Sequence, residues 1–391
     1  MLGAIYTGLS GMNAYSDGLM MISNNVANLN TPGYKSNLIS FNDLFGQGSG
    51  FLGSNASQAG YGVSMGSSFI DFSQGQMQQS SNPLDLAIQG NGFLTLLNGG
   101  NTYYARTGSF FVDQDGYISD AQGNHLAVLN TDGTTSAFNV NPFQVSAPAA
   151  STDITFSGNL SSDQTDTPVT VASIKVFDSL GTAHQWTVTF TKATDGSNTW
   201  AAAVTDETGA TVGSGTVGFN ADGTIDPANS KFTVTPQDGS GLSVTLDFST
   251  GVTSYSGGTT STLAASNVDG NAMGTLTAVG VSKEGKIELA YSNGKTVDEG
   301  FVALASFQDT QQLHRVGSGL YRAPDGVHAQ LLASGADGIG TLQSGQIEAS
   351  NVNLSDEFGQ LILIERGFQA CSQVVSVSND MIQTLFGMRG Q

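Results

Sequence analysis

The residue types that most often carry chemistry are few in this sequence, and they are not grouped. The histidines have no spacing that would place two of them on one face of a helix or strand: His125, His184, His314 and His328. Cys371 has no acid–base partner close to it in the sequence, so neither an activated nucleophile nor a set of metal ligands is indicated. We therefore expect no catalytic residue, no cofactor and no metal site, and we predict that the protein is not an enzyme.

Two short patterns resemble binding loops only superficially. Asp113-Gln114-Asp115-Gly116 begins like a calcium loop. However, the glycine precedes the third ligand position, and the closing bidentate glutamate is missing. Gly90-Asn91-Gly92 is a pattern found far more often in turns than in phosphate cradles. We expect turns at both places.

The composition excludes several classes of partner. Only 11% of the 391 residues are charged, glycine occurs 51 times, and the net charge is -20 with a pI near 4.1. Nucleic acids and anionic membrane surfaces both attract basic proteins, so neither is an expected partner. The first basic residue is Lys35 and no run of about 18 apolar residues occurs, so we expect no cleavable secretory signal and no membrane span.

The elements that organise the chain are apolar repeats near its two ends. Near the start, the repeat has a period of seven with companion positions three or four residues away: Ile5, Leu9, Met12, Leu19 and Val26. The last 40 residues carry a similar series: Leu361, Ile364, Phe368, Cys371, Val375, Ile382 and Leu385. Such spacing predicts a coiled-coil helix at each end, and each helix requires a partner to bury its stripe. The two helices could pair with each other or with helices of other molecules.

Three glycines in the first helix need an explanation. Gly8, Gly11 and Gly18 each disfavour a helix by about 1 kcal/mol relative to alanine. They could mark a poor helix, or they could allow a second helix to come close. We favour the second interpretation.

The middle of the chain predicts β-structure in a nested order. Short alternating apolar runs are separated by turn signals such as Asp115-Gly116 and Asp132-Gly133. The predicted divisions are terminal helices at 1–30 and 352–391, an extended connector at 31–70, an inner β-domain at 71–144 and 275–351, and an outer β-domain inserted at 145–274. We therefore expect a multi-domain, mainly β fold with a helical coiled-coil core.

Particular motifs resemble a known family. The segment from Asn24 to Asn28, followed by Thr31-Pro32-Gly33-Tyr34-Lys35, closely resembles the N-terminal signature of the bacterial flagellar rod and hook axial proteins. Three further blocks are similar to that family: 88–93, 104–110 and 348–355. The family motif residues are therefore Asn28, Thr31, Pro32, Gly33, Tyr34 and Lys35.

The resemblance implies a function in assembly. Its hook branch is favoured over the distal rod branch because 176–184 resembles the outer domain of a hook subunit, and because rod relatives are shorter. Such a subunit polymerises with itself into a hollow, flexible tube that passes torque from rod to filament as a universal joint. The apolar residues of both helices would form the assembly interface.

The same resemblance implies a location and further partners. The subunit would be extracellular, in the hook of the flagellar basal body, exported by the flagellar type III apparatus without a cleavable signal. Its other partners would be the distal rod protein, the hook cap, the hook–filament junction proteins and the hook-length control protein. Nucleic acid and direct membrane insertion are not expected.

Three alternatives stay open from the residues alone. The chain could be the distal rod protein of the same family, a secreted β-rich adhesin that only oligomerises through its ends, or a secreted hydrolase whose carboxylates meet in the fold. Ordered assembly of many copies would distinguish an axial protein from the other two.

The acidic composition generates a testable prediction. Salt should favour assembly, because at about 0.1 M it screens repulsion between like charges beyond about 10 Å. Polymer yield, measured by sedimentation, should rise between low and moderate ionic strength. A yield that falls as salt rises would contradict this expectation.

Overall fold

The chain divides into two compact units, one of which interrupts the other. The computed structural model describes residues 2–45, 60–164, 167–194, 197–237 and 241–389. Unit 1 comprises Met1–Asn141, Val279–Glu288 and Asp298–Gln391, and unit 2 comprises Pro142–Ala278 and Leu289–Val297. The predicted fold class is confirmed: the chain is mainly β, its domains are nested, and helices at both ends pack together.

The terminal helices are long, and their limits follow from local sequence. Helix α1 spans Leu2–Ala27 and helix α2 spans Leu354–Arg389. Beyond α1, the residue preceding Pro32 disfavours helical backbone, and Gly33 has a positive φ of 68° that turns the chain. At the start of α2, the Asn353 side chain accepts a hydrogen bond from the Ser355 N–H at 3.0 Å and caps the helix.

The described residues between the helices form thirty-two strands. The first thirteen belong to unit 1: β1 (Asn37–Leu38), β2 (Phe41–Phe45), β3 (Gly60–Met65), β4 (Phe69–Ile70), β5 (Met77–Gln79), β6 (Asp85–Gln89), β7 (Phe93–Asn98), β8 (Asn101–Ala105), β9 (Thr107–Ser109), β10 (Phe111–Val112), β11 (Ile118–Ser119), β12 (His125–Leu129) and β13 (Thr135–Ala137). Ten follow in unit 2: β14 (Val145–Ser146), β15 (Asp153–Asn159), β16 (Val169–Phe177), β17 (Ala183–Lys192), β18 (Thr199–Thr205), β19 (Thr211–Gly218), β20 (Lys231–Val234), β21 (Val244–Asp247), β22 (Val252–Thr253) and β23 (Ala264–Val268). Three have residues in both units: β24 (Gly274–Val281), β25 (Lys286–Tyr291) and β26 (Thr296–Val302). Six complete unit 1: β27 (Leu304–Ser306), β28 (His314–Gly317), β29 (Leu320–Arg322), β30 (Gln330–Leu332), β31 (Thr341–Ser344) and β32 (Gln346–Glu348). Short 3-10 turns lie at Asn141–Phe143, Pro227–Asn229 and Thr310–Gln312.

The segment predicted as an extended connector, 31–70, contains short strands in both of its described parts. Strands β1 and β4 pair with each other, and β2 and β3 form a second antiparallel pair. Residues 46–59 of the predicted connector, with its most glycine-rich part, lie outside the described residues. The predicted division into connector and domains stays a prediction.

Unit 1 is built on an antiparallel sheet in the order β26, β12, β7, β8, β29 and β28. Beside it lie a three-stranded sheet, β31-β6-β9, and the pair β32-β5. An aromatic cluster fills part of its core, where the Tyr104 and Phe307 ring centroids are 4.8 Å apart and Phe93 and Tyr321 are buried. Strands β31 and β32 directly precede α2, so this sheet system positions the start of the C-terminal helix.

Unit 2 buries its own core between two sheets. The order in one is β16-β17-β18-β19, all antiparallel, and the order in the other is β20-β21-β15-β22, with β23 paired to β15. Alternation along β17 places Trp186 and Phe190 inside, where Phe190 meets Phe156 and Phe248 of the other sheet. This alternation of apolar and polar residues was readable in the sequence.

The long segment of unit 2 begins and ends at one place. Strands β14 and β24 pair so that Val145 lies opposite Thr275 and Ser146 opposite Gly274. The hydrogen-bonded ladder continues at Ala149 and Asn271. The two ends of the inserted segment are therefore neighbours.

No helix in the described part of the chain is long and apolar enough to span a membrane.

Candidate functional site

The two terminal helices pack against each other along the glycines of α1. A Cβ atom added to these glycines would crowd three side chains of α2: 2.8 Å from Val375 Cγ2 at Gly8, 2.6 Å from Cys371 Sγ at Gly11, and 2.9 Å from Ile364 Cδ1 at Gly18. In return, Gly367 of α2 leaves room for the Tyr15 ring, which an added Cβ would overlap. Residue numbers fall along α2 as they rise along α1, so the helices run antiparallel.

The interpretation of the α1 glycines is thereby confirmed. They allow close helix–helix approach, and the resulting packing offsets their unfavourable helix propensity of about 1 kcal/mol each. Any larger residue at these positions would push α2 away.

The apolar series predicted on α1 lies mostly beside this contact. Leu9 and Leu19 remain 47% and 42% exposed, whereas Ile5, Met12 and Val26 are half-buried. The closest approach to α2 uses the glycine face instead. The α1 series is therefore available for other contacts.

The series predicted on α2 divides into two groups. Ile364 is buried, and Cys371 and Val375 are half-buried beside the α1 glycines; Leu361 and Ile382 are also half-buried. Two further members, Phe368 and Leu385, remain 38% and 54% exposed. The structure thus brings only part of the α2 series onto α1.

Many other large apolar side chains on the helix pair are exposed. They occur on both helices: Tyr6, Leu9, Leu19 and Met20 on α1, and Phe358, Ile362, Leu363, Phe368, Val374, Val377, Met381, Leu385, Phe386 and Met388 on α2. Extended apolar surface of this kind marks an interaction site in soluble proteins. Pairing α1 with α2 therefore satisfies only part of their apolar surface.

The hairpin of β2 and β3 packs against α1 beside its contact with α2. The Ser10 hydroxyl accepts a hydrogen bond from the Val63 N–H at 3.3 Å, and the Phe41 and Tyr15 ring centroids are 5.4 Å apart. Gly62, with φ 106°, passes so close to Ser10 that a Cβ could not be accommodated. The hairpin is thus a second packing partner of α1.

A buried asparagine ties α1 to the segments at its end. The Asn25 amide donates to the Asn37 carbonyl at 3.0 Å and to Glu357 Oε1 at 2.9 Å. Its oxygen accepts from the Asn37 N–H at 3.0 Å and from the Tyr34 hydroxyl at 3.2 Å. One side chain therefore links α1, the residues that follow it, and the first turn of α2.

A buried carboxylate holds the next junction. Glu348 Oε1 accepts hydrogen bonds from Lys35 Nζ at 2.6 Å and from the Gly75 N–H at 2.7 Å. Oε2 of the same residue accepts from Arg106 Nε at 3.2 Å. The Lys35 and Glu348 side chains are fully buried, and that of Arg106 is nearly so. Burial lowers the pKa of the Lys35 ammonium, and the Glu348 charge opposes that shift.

Other bonds around this ion cluster use backbone carbonyls. Lys35 Nζ also donates to the Ser73 carbonyl at 2.5 Å. The Arg106 guanidinium donates to the carbonyls of Gly90 and Gly92, both at 2.6 Å. Buried charges are tolerated when all their donors and acceptors are satisfied in this way.

The family motif residues lie at this junction. Gly33 donates its N–H to the Glu348 carbonyl at 2.7 Å, the Tyr34 ring lies 4.6 Å below the Arg315 guanidinium, and Lys35 joins the ion cluster. Thr31 donates to Asn28 Oδ1 at 3.1 Å, which stabilises the turn after α1, and Pro32 is exposed within that turn. The motif is therefore a structural joint.

A second buried carboxylate is less well satisfied. Glu357 is 6% exposed, and its Oε2 has no hydrogen-bond partner within the described structure. Burial raises the pKa of this carboxyl group; the bond from Asn25 opposes the shift and the charge of Asp356 adds to it. Ionisation of the Glu357 carboxyl group therefore weakens the contact between α1 and α2.

Sequence reasoning assigned no role to Asn25, Arg106, Glu348 or Glu357. The signal that could have identified Arg106 and Glu348 is the scarcity of charge: only 11% of residues are charged, yet both fall inside blocks that resemble the family. The Arg106 and Lys35 side chains are 242 and 313 residues away from Glu348 in sequence, so spacing could not pair them.

The candidate chemical residues are not brought together. His125 Nδ1 lies 2.8 Å from Ser119 Oγ, and His184 Nε2 lies 3.6 Å from Asp178 Oδ2. Among the described residues, no group of three or more His, Cys, Asp or Glu side chains could hold a metal ion.

Family models match four parts of the chain. They are described as Flagella basal body rod protein over residues 5–35, Flagellar hook protein FlgE/F/G D1 domain over 87–162, Flagellar basal body protein FlaE D2 domain over 147–271, and Flagellar basal body rod FlgEFG protein C-terminal over 343–388. The order of these matches follows the order of helix, inner β-structure, inserted unit and helix.

Similar proteins cover nearly the whole chain. The flagellar hook protein FlgE of Escherichia coli K12 is 30% identical over 409 residues, which span 97% of this chain and 98% of that protein. FlgE of Salmonella typhimurium is 29% identical over 410 residues with the same coverage. A crystal structure of Helicobacter pylori flagellar hook protein FlgE2 shares the fold, with a TM-score of 0.51 at 12% identity, over 70% of this chain and 100% of that one.

The ion cluster generates a testable prediction. Glu348→Ala would leave Lys35 and Arg106 buried without their anion, so the free energy of unfolding should fall by about 3–5 kcal/mol. Chemical denaturation followed by circular dichroism would measure the loss. Glu207→Ala, which removes an exposed carboxylate in unit 2, is the control and should change stability by less than about 0.5 kcal/mol. Equal effects of the two substitutions would argue against the ion cluster.

Glu357 generates a prediction about pH. Because its folded pKa is raised, native protein loses stability as pH rises from the ordinary carboxyl value of 4.5 through the folded pKa. Glu357→Gln removes the charge and keeps an acceptor for Asn25, so above this window it should stabilise the protein by about 1 kcal/mol.

Denaturation curves at several pH values would check this. The advantage of Glu357→Gln should disappear once the pH falls below 4.5, where the wild-type carboxyl is protonated. Glu365→Gln, at an exposed position of the same helix, is the control. A Glu357→Gln variant that is less stable than wild type at neutral pH would contradict the prediction.

Proposed function

This chain belongs to the family of flagellar hook proteins, FlgE, and we propose that its paired terminal helices assemble with those of identical copies into the wall of the hook tube. The chain is a structural subunit of the bacterial flagellar hook. The observation that carries the assembly proposal is the apolar surface left uncovered on α1 and α2.

The assembly surface consists of exposed members of both helices. Leu9 and Leu19 on α1, with Phe368 and Leu385 on α2, are apolar and accessible in the single chain. Packing against a neighbouring helix pair would remove them from water, at roughly 25 cal/mol per Å² of apolar area. The half-buried members of each series, Ile5, Met12, Val26, Leu361 and Ile382, would complete the contact.

The α1–α2 contact itself would make the tube stiff in torsion. The helices touch through glycines and cannot approach further, and the joint at Asn25 and Glu348 connects them to the β-structure of unit 1 through buried bonds. Torque applied to the terminal helices would therefore pass to the β-structure of unit 1 with little relative movement.

Unit 2 presents a surface suited to sliding contacts. On the face of its four-stranded sheet away from the core, Thr189 lies opposite Ala203 and Ala203 opposite Ser214; Ala201 lies opposite Thr216. These residues are small and uncharged, so contacts with another copy would interlock weakly. We propose that this allows outer units to shift past one another when the tube bends, as a universal joint requires.

Location and further partners follow from family membership. We propose that the chain is exported through the flagellar type III apparatus without a cleavable signal and takes its place in the extracellular hook. Its neighbours there would be the distal rod protein, the hook cap, the hook–filament junction proteins and the hook-length control protein. The proposal assigns no catalytic residue to the chain.

The alternatives have less support. The relatives named above are hook proteins that match over almost their full length, and the D2 domain model covers 147–271. The distal rod alternative is supported by the rod models at the two ends and by a less similar relative, the rod protein FlgG of Bacillus subtilis, which is 24% identical over 399 residues. A secreted hydrolase would not account for the uncovered helix pair, and the relatives and family models named above are flagellar proteins rather than adhesins. The discriminating experiment is electron microscopy of the purified chain at raised protein concentration, where a hook subunit should form tubes.

The assembly surface generates a further prediction. Leu19→Asp places a charge on an exposed α1 position, so the single chain should keep its stability within about 0.5 kcal/mol. Burying that charge unpaired against another copy would cost several kcal/mol and should abolish polymers. Sedimentation of the variant with its unfolding curve would separate the two effects. Val375→Asp should also stop assembly, but Val375 contacts Gly8, so that variant would disturb the helix pair as well.

The matched control is Asn13→Asp, which adds the same charge at an exposed polar position of the same helix. It should polymerise like wild type. Polymerisation of Leu19→Asp at the wild-type critical concentration would contradict the proposed surface.

A further inference from the structure

The turn between β16 and β17 in unit 2, residues 178–181, is fixed by several hydrogen bonds. The Asp178 carboxylate oxygen Oδ1 accepts hydrogen bonds from the N–H groups of Leu180 at 2.9 Å and Thr182 at 2.8 Å. The Asp178 N–H donates to the Thr182 carbonyl at 3.1 Å, and the Gly181 N–H donates to the Asp178 carbonyl at 3.0 Å. Gly181 has φ 82°, a conformation that favours glycine. The turn therefore has one strongly preferred conformation.

The Asp178 carboxylate accepts its backbone hydrogen bonds from within the turn. Its side chain is buried, and the bonds from Thr182 and Leu180 lower the pKa of the carboxyl group. His184 Nε2, on the adjacent strand, lies 3.6 Å from the other carboxylate oxygen. Ser179 and Leu180, at the tip, carry no charge.

This turn presents an apolar side chain to solvent. Leu180 is 83% exposed, the highest exposure among the large apolar side chains of the described residues. Behind it, a Cβ at Gly181 would lie 2.7 Å from Pro148 Cβ and 3.4 Å from the Met273 nitrogen. Met273 is itself 60% exposed. We call Leu180, Pro148 and Met273 the Leu180 patch.

The backbone under the patch is held as firmly as the turn. Ala149 and Asn271 exchange two backbone hydrogen bonds of 3.0 Å. The side chains of Asn271 and Asn293 both donate to the Ala272 carbonyl, at 2.9 and 2.8 Å. A rigid apolar protrusion loses little conformational entropy when it binds, which makes it an efficient contact residue.

A second copy of this chain is the partner that fits best. Two copies each carry a net charge of -20, so they repel wherever charged surfaces meet. The tip of the turn is free of exposed charge and avoids that repulsion. A protruding apolar residue that enters a different surface of the next copy makes a heterologous contact, and repeated contacts of this type build an open helical assembly.

We propose that the Leu180 patch is a contact between copies, in which Leu180 of one hook subunit inserts into an apolar surface of a neighbouring subunit. The inference rests on the proposed function and deepens it, because it assigns an assembly contact to unit 2 in addition to the terminal helices.

The test compares critical concentrations for polymerisation of the full chain, measured by sedimentation at raised salt. Leu180→Ser should raise the critical concentration about tenfold, since the buried area of a leucine is lost, while thermal unfolding stays unchanged. Val316→Ser removes another exposed apolar side chain, on β28 of unit 1, and should polymerise like wild type.

Site-specific photo-crosslinking supplies an independent readout. With p-benzoylphenylalanine in place of Leu180, irradiation should give covalent dimers from pelleted polymer and none from dilute monomer. The same probe in place of Val316 should give few dimers in either sample.

The outcomes separate this inference from the proposed function. Wild-type critical concentration for Leu180→Ser, an equal rise for Val316→Ser, or no dimers from the probe at position 180 would overturn the inference alone. Failure of wild-type chain to polymerise at all would contradict the proposed function, and this inference with it.

Discussion

The structure of unit 1 depends on one buried carboxylate. Glu348 receives hydrogen bonds from Lys35, Gly75 and Arg106, which belong to three different stretches of the chain, and its own backbone carbonyl receives the N–H of Gly33. A charge without water is tolerated only when it is fully paired, so these stretches must meet at one point or the fold fails. Because α2 begins six residues later, at Leu354, the same point also sets where the C-terminal helix begins.

From that point the two helices extend as an antiparallel pair. The glycines of α1 bring Ile364, Cys371 and Val375 into close contact, and Asn25 joins the end of α1 to Glu357 in the first turn of α2. Contact through the small residues leaves the larger apolar side chains, such as Leu19 and Phe386, pointing elsewhere. The single chain is thus a folded unit with an unsatisfied apolar surface, which is the physical condition for growth into a polymer.

Much of this architecture could be predicted from the sequence because it follows from local rules. Heptad spacing identified both helices, Pro32 predicted where the first one ends, and alternation around Trp186 and Phe190 predicted strands of unit 2. The cost of glycine in a helix led to the correct interpretation of Gly8, Gly11 and Gly18.

What could not be predicted is which residues meet over long separations. Lys35 and Glu348 are 313 positions apart, and Asn25 and Glu357 are 332 apart, so spacing carries no information about either pair. The heptad pattern by itself placed Leu19 in the helix interface, whereas α1 turns its glycines towards α2.

The pairing of β14 with β24 at the two ends of the inserted segment has a consequence for how the length of related proteins can differ. Val145 lies opposite Thr275, so the segment between them begins and ends at a single strand pair. Exchanging that module for a longer or shorter one would leave Glu348 and the glycine contact undisturbed, since none of their partners belongs to it. Hook subunits whose inserted segments differ in length could therefore keep the same terminal helices and the same Glu348 ion cluster.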